Sequence, residues 1–186
     1  MNDPIFRSVE QALHFSFLMA TLPVSQKSQM HELYVLSQKR LGVFNEKSTS
    51  TIHFGGLDPL EVRGQCAMVR ATVYDHLAEP ERFAVLARYA YQGEKGIGVR
   101  GIRDYCLPLL ACGHEWATLA MAWSLFGTEE QKAGLSIRKI AEEFVLKPSS
   151  VNDDLVKIKK TSRSLEARAY DRLGVHFANT GLIDLN

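Results

Sequence analysis

From Ser136 to Val156 the chain reads Ser-Ile-Arg-Lys-Ile-Ala-Glu-Glu-Phe-Val-Leu-Lys-Pro-Ser-Ser-Val-Asn-Asp-Asp-Leu-Val. This spacing predicts two helices joined by a tight turn. Ser136 suits an N-cap, and Ile137, Ile140 and Phe144 then form one apolar stripe at helical period. Ala141 stands where a second helix must approach closely, which requires a small side chain. Leu146 plugs the turn, Pro148 pre-sets the first turn of the next helix, and Val151 and Leu155 return that helix to the core. The pattern predicts a helix-turn-helix whose second helix offers its N-terminal residues to the major groove of DNA. The same positions also suit a plain αα-corner with a solvated lysine-rich face.

In the DNA-binding reading Lys147, Ser149, Ser150 and Asn152 face outward at the start of the second helix. Serine can bond base edges or phosphate, and asparagine can bond adenine through two hydrogen bonds. The helix N-terminus adds partial positive charge. Beyond it, Val156–Arg172 carries Lys157, Lys159, Lys160, Arg163, Arg168 and Arg172 against only Glu166 and Asp171. The candidate DNA contacts are therefore Lys147, Ser149, Ser150, Asn152, Lys157, Lys159, Lys160 and Arg163. Three positions depart from the usual pattern. Val145 takes the turn position that glycine usually fills, and Lys147 replaces a Ser, Thr or Asp cap. Asp153-Asp154 puts two carboxylates on the recognition helix, where they repel phosphate unless they read cytosine amino groups or meet protein.

The rest of the chain is read as helical too. Asp3-Pro4 is a cap signal for a helix with Ile5, Val9, Ala12, Leu13, Phe17 and Ala20 on one face, ending before Pro23. Gln26–Leu41 forms a second amphipathic helix stopped by Gly42, and Val43–Leu57 a loop in which Thr51–Phe54 is a candidate short strand. Asp58-Pro59 opens a helix with Leu60, Cys66, Ala67, Val69, Val73 and Leu77 along one face, and Glu79-Pro80 opens another over Glu81–Gln92. Gly93 to Gly101 is read as a glycine-rich loop carrying Lys95, Arg100 and Arg103. Short helices follow near Ile102–Ala111 and Glu115–Phe126, then a polar stretch Gly127–Gly134. No strand-helix alternation occurs, so the expected class is all-α: a multi-helix domain with a C-terminal helix-turn-helix. The expected segments are 1–57, an N-terminal helical segment and loop; 58–134, a helical core; and 135–186, the helix-turn-helix and its basic helix.

Leu135–Lys160 resembles the helix-turn-helix in the fourth region of bacterial sigma factors and the related module of phage Q-type late-gene antitermination proteins. Upstream, Gly56-Leu57-Asp58-Pro59, the helix with Val62, Arg63 and Gln65-Cys66, and Glu-Arg-Phe-Ala-Val-Leu-Ala-Arg-Tyr-Ala-Tyr-Gln-Gly at 81–93 are similar to the lead-in segment of one Q subgroup. The resemblance covers about half of the chain and excludes Met1–Phe54. It implies a protein that binds DNA near a phage late promoter, loads onto paused RNA polymerase and lets it pass terminators. Only Ser149, Ser150 and Asn152, with Lys147 beside them, carry over as DNA contacts.

Composition limits the remaining classes. Among 186 residues, 46% are hydrophobic, and 22 Lys+Arg face 21 Asp+Glu for a net charge of +1, so the chain can fill a core and any nucleic-acid binding must come from a local patch. The stretch Leu107–Gly127 is long enough to span a bilayer, but Gly113, His114 and Glu115 at its centre argue for two packed helices. Cys66, Cys106 and Cys112 are expected as reduced thiols in a cytoplasm. With His114 they could supply four zinc ligands, yet their spacing is not a common one and core packing is the simpler role. Gly96-Ile97-Gly98-Val99-Arg100-Gly101 is a formal GxGxxG, but a helical pattern and not a strand precedes it. No Walker A, GxSxG or CxxC sequence occurs, and the acid pairs Glu129-Glu130 and Glu142-Glu143 diverge on a helix. No enzyme activity, cofactor or metal is expected.

The expectation is a cytoplasmic, sequence-specific transcription regulator that binds double-stranded DNA and acts with RNA polymerase. Alternatives are a dimeric repressor or activator, and a helical module that contacts RNA polymerase without DNA. Val151, Leu155, Ile158, Ser162, Leu165 and Ala169, spaced as on a coiled-coil seam, would serve either homodimerisation or packing within the domain.

Overall fold

A computed structural model of the chain describes residues 4–22 and 57–183, and every regular element among them is a helix. The α-helices are α1 (Val9–Thr21), α2 (Pro59–His76), α3 (Glu79–Tyr89), α4 (Gln92–Cys106), α5 (Glu115–Phe126), α6 (Glu129–Lys132), α7 (Ile137–Glu143) and α8 (Pro148–Asn179), with a 3-10 turn at Leu107–Leu109. The all-α class holds. The expected helix Gln26–Leu41 and candidate strand Thr51–Phe54 lie outside the described residues.

Local capping chemistry sets most helix starts. Asp58 Oδ1 accepts from the amides of Leu60 and Glu61 at 2.7 and 2.8 Å, and Glu61 Oε2 accepts from the Asp58 amide at 2.8 Å. This reciprocal box satisfies amides that the helix leaves unpaired. Thr128 and Gln131 repeat it at α6, inside the stretch expected to be merely polar. The first helix starts later than Asp3-Pro4 implies: Ser8 is its N-cap, accepting from the Gln11 amide at 3.1 Å. Phe6 instead pairs with the far end of the chain, its amide donating to the Leu182 carbonyl at 2.9 Å.

The chain divides into two compact units, one from 1–75 with 173–186 and one from 76–172. In the first, Phe6, Leu13, Phe17, Val69, Leu173 and Phe177 are buried. Cys66 is buried there too, which pushes its thiol up to about 11 against the lowering influence of the Ser16 hydroxyl and of Arg70 and Arg63. In the second, Ala84, Ala87, Val99, Ile102, Met121, Ile140, Ala141, Val151, Ile158 and Leu165 share one core. Boundaries at 57 and 134 are therefore not where the compact units part. Residues of α7 and α8 complete the core that α3, α4 and α5 begin, and α8 continues from the second unit into residues of the first.

The glycine run is corrected most sharply. Gly93 to Gly101 is not a loop but lies within α4, which continues to Cys106 where a shorter helix over Ile102–Ala111 was expected. A methyl group at Gly98 would overlap the Ala87 backbone nitrogen and lie 2.7 Å from the Leu86 carbonyl carbon; one at Gly101 would overlap the Phe83 ring. These glycines let α4 lie directly on α3, and that packing outweighs their poor helix propensity.

Candidate nucleic-acid interface

Ser136 Oγ accepts from the Lys139 amide at 3.4 Å and starts α7, which buries Ile140 and Ala141. The turn closes when the Leu146 amide donates to the Ala141 carbonyl at 2.8 Å. Val145 stands between them with φ +53°, the left-handed conformation usually given to glycine, and it is 92% exposed. A β-branched residue there costs about 1–2 kcal/mol. The Val151 amide then donates to the Lys147 carbonyl at 3.1 Å, so Lys147 caps α8 by its backbone, and Pro148 takes the first helical position.

Lys147, Ser149, Asn152, Lys157, Lys159, Lys160 and Arg163 are exposed and Ser150 is half-buried. The turn brings Lys147, Ser149, Ser150 and Asn152 together around the first turn of α8, while Lys159, Lys160 and Arg163 continue its outer side two turns on. Arg138 and Lys139 on α7 are exposed as well. A charge window placed only on 156–172 passes over these two.

Not all cations of the basic segment are available. Lys157 Nζ lies 3.5 Å from Asp154 Oδ1. Arg168 and Arg172 reach the buried Glu81 of α3, with Nε at 3.8 Å from Oε1 and 3.3 Å from Oε2 respectively. Lys159, Lys160 and Arg163 have no carboxylate within ion-pair distance among the described residues. Lys95 and Arg103 of the glycine-rich segment are committed too. Lys95 Nζ donates to the Ala87 carbonyl at 2.9 Å, and burial, with Lys132 and Arg88 nearby, pushes its ammonium down to about 8. Arg103 pairs with Asp104 and Glu115, each at 2.7 Å. Arg100 alone of that trio is exposed.

The two acids near the start of α8 part company. Asp153 is exposed, whereas Asp154 is fully buried and accepts from the amides of Ala111 and Cys112 at 3.1 and 3.0 Å. Burial raises its pKa, but the two amides, the Cys112 thiol and Lys157 outweigh that and hold it below the usual carboxylate value. Asp154 thus meets protein, not phosphate. Beside it His114 caps α5, its Nδ1 accepting from the Ala117 amide at 3.2 Å, and its ring packs on Phe144 at 5.0 Å. The segment 111–114 is therefore a strut against both the turn and the second helix.

Cys66 lies in one unit and Cys106, Cys112 and His114 in the other, and His114 is engaged as a cap. Burial pushes the Cys106 thiol up to about 11, the opposite of an activated or ligating sulfur. The coiled-coil spacing is also spoken for. Val151, Ile158, Ser162, Leu165 and Ala169 are buried and Leu155 is half-buried against the second unit's own core, so this seam is not an open dimerisation face. No described helix is long and apolar enough to cross a membrane. No protein-family model matches the sequence, and no curated protein matches it.

Proposed function

We propose that the chain is a sequence-specific regulator of transcription that binds double-stranded DNA through α7, the turn and the first half of α8. The observation that carries this reading is the turn itself. Buried Ala141 and the Leu146–Ala141 hydrogen bond leave Lys147, Ser149 and Asn152 exposed at the start of a 32-residue helix, and further along it Lys159, Lys160 and Arg163 have no acidic partner among the described residues. Polar groups able to read bases are flanked by charges able to hold phosphates, the division of labour a major-groove reader needs. The commitment of Asp154 to the Ala111 and Cys112 amides supports the same reading, because it removes one of the two carboxylates that opposed it. Action as a phage-type antitermination factor with RNA polymerase is the more specific proposal, and it rests on the resemblance of Leu135–Lys160.

Selection of bound duplexes from a random pool at about physiological salt tests the proposal. One recovered motif is expected. Asn152→Ala should then weaken binding by about tenfold or more at one base pair, and Lys147→Ala should weaken it evenly across sequences. No enrichment would instead favour a helical module that contacts RNA polymerase without DNA, and unchanged DNA affinity in Asn152→Ala, Ser150→Ala and Lys147→Ala would overturn the assignment of the start of α8 as the recognition helix.

A further inference from the structure

Resting on the DNA-binding reading, we infer that Val156 is a specificity residue that reads the 5-methyl group of a thymine. With Ile158 and Leu165 buried at 0% and 1%, the helical period puts Val156 on the opposite side of α8, and it is 58% exposed. The second unit's core makes no use of it there, and valine is a weaker helix former than the lysines around it. It shares its stripe with Ser149, Asn152 and Asp153, one or two turns before it, and with Lys159, Lys160 and Arg163, one or two turns after it. All six are exposed and polar or charged.

An isopropyl group can neither donate nor accept a hydrogen bond, and the apolar feature among major-groove base edges is the thymine methyl. The cations beyond Val156 would hold the phosphates that border the groove, bringing this part of the helix close to the bases. Ser149 to Val156 spans seven residue steps, about 10 Å of helix, or about three base-pair steps. Asn152 and Val156 lie about two base pairs apart on the same scale. The predicted thymine is therefore about two base pairs from the base pair that Asn152 recognises.

The experiment uses the full chain and the duplex recovered by selection, with each thymine replaced in turn by deoxyuridine, which lacks only the methyl group. For the native chain one replacement, about two base pairs from the Asn152-dependent position, should weaken binding about fourfold. Val156→Ala, which loses both γ-methyl groups, should discriminate less between the thymine and deoxyuridine duplexes than the native chain does. Since Val156 is exposed, the substitution leaves the core untouched, and the comparison of two duplexes within one variant cancels any general loss. A recovered motif with no methyl-sensitive thymine, or with the same sensitivity in Val156→Ala, overturns the assignment of Val156 and leaves the DNA-binding reading standing. Absence of any recovered motif overturns both.

Discussion

Asp154 shows how one side chain changes its meaning with its surroundings. On a recognition helix a carboxylate reads as a repulsive charge, yet its two oxygens terminate the amides of Ala111 and Cys112 and draw in Lys157. Asp154→Asn keeps the shape but replaces one acceptor oxygen with a donor that faces a backbone amide. The expected loss is about 2–3 kcal/mol at neutral pH, read from the denaturant midpoint. The pH dependence follows from the lowered folded pKa. The contribution is complete above the unfolded value, near 3.8, and disappears as pH falls through the lower folded value. Acid unfolding below about pH 4 should therefore be shallower in Asp154→Asn than in the native chain. Equal acid profiles would mean that Asp154 does not couple its proton to folding.

At the scale of the element, α4 separates two uses of one residue type. Gly98 is a contact surface, with no room for a methyl between it and Ala87, while Gly64 in α2 has nothing among the described residues within 4 Å of where a methyl would stand. Gly98→Ala should destabilise by about 1–3 kcal/mol through overpacking. Gly64→Ala should stabilise by up to about 1 kcal/mol through helix propensity. Both tryptophans, Trp116 and Trp123, lie in the second unit, so fluorescence in denaturant reads Gly98→Ala, and helical circular dichroism reads Gly64→Ala. Equal effects of the two substitutions would remove the packing explanation of α4. The contrast also explains what could be read in advance. Caps such as Asp58-Pro59, and periodic stripes such as Ile137, Ile140 and Val151, are local signals, and their helices are where the spacing put them. A glycine's role depends on a neighbour from another helix, and the partners of Asp154 are 43 and 42 residues upstream.

For the whole molecule, a net charge of +1 says little until each cation's commitments are known. Sequence alone presents Val156–Arg172 as six cations against two acids. The fold ties Lys157, Arg168 and Arg172 to Asp154 and Glu81 and leaves Lys159, Lys160 and Arg163 without acidic partners among the described residues. These two groups should separate in one experiment. If the DNA-binding reading is right, neutralising Lys159, Lys160 or Arg163 with glutamine should lower the magnitude of the slope of log affinity against log salt by about 1 each, with stability nearly unchanged. Arg168→Met with Arg172→Met should leave that slope alone. It should instead cost roughly 1–2 kcal/mol of stability, because buried Glu81 loses both guanidinium partners, a loss moderated by their exposure to solvent. A slope that falls equally for both groups would mean that the ion pairs to Glu81 open on binding, and that the phosphate-contacting surface runs further along α8 than Arg163.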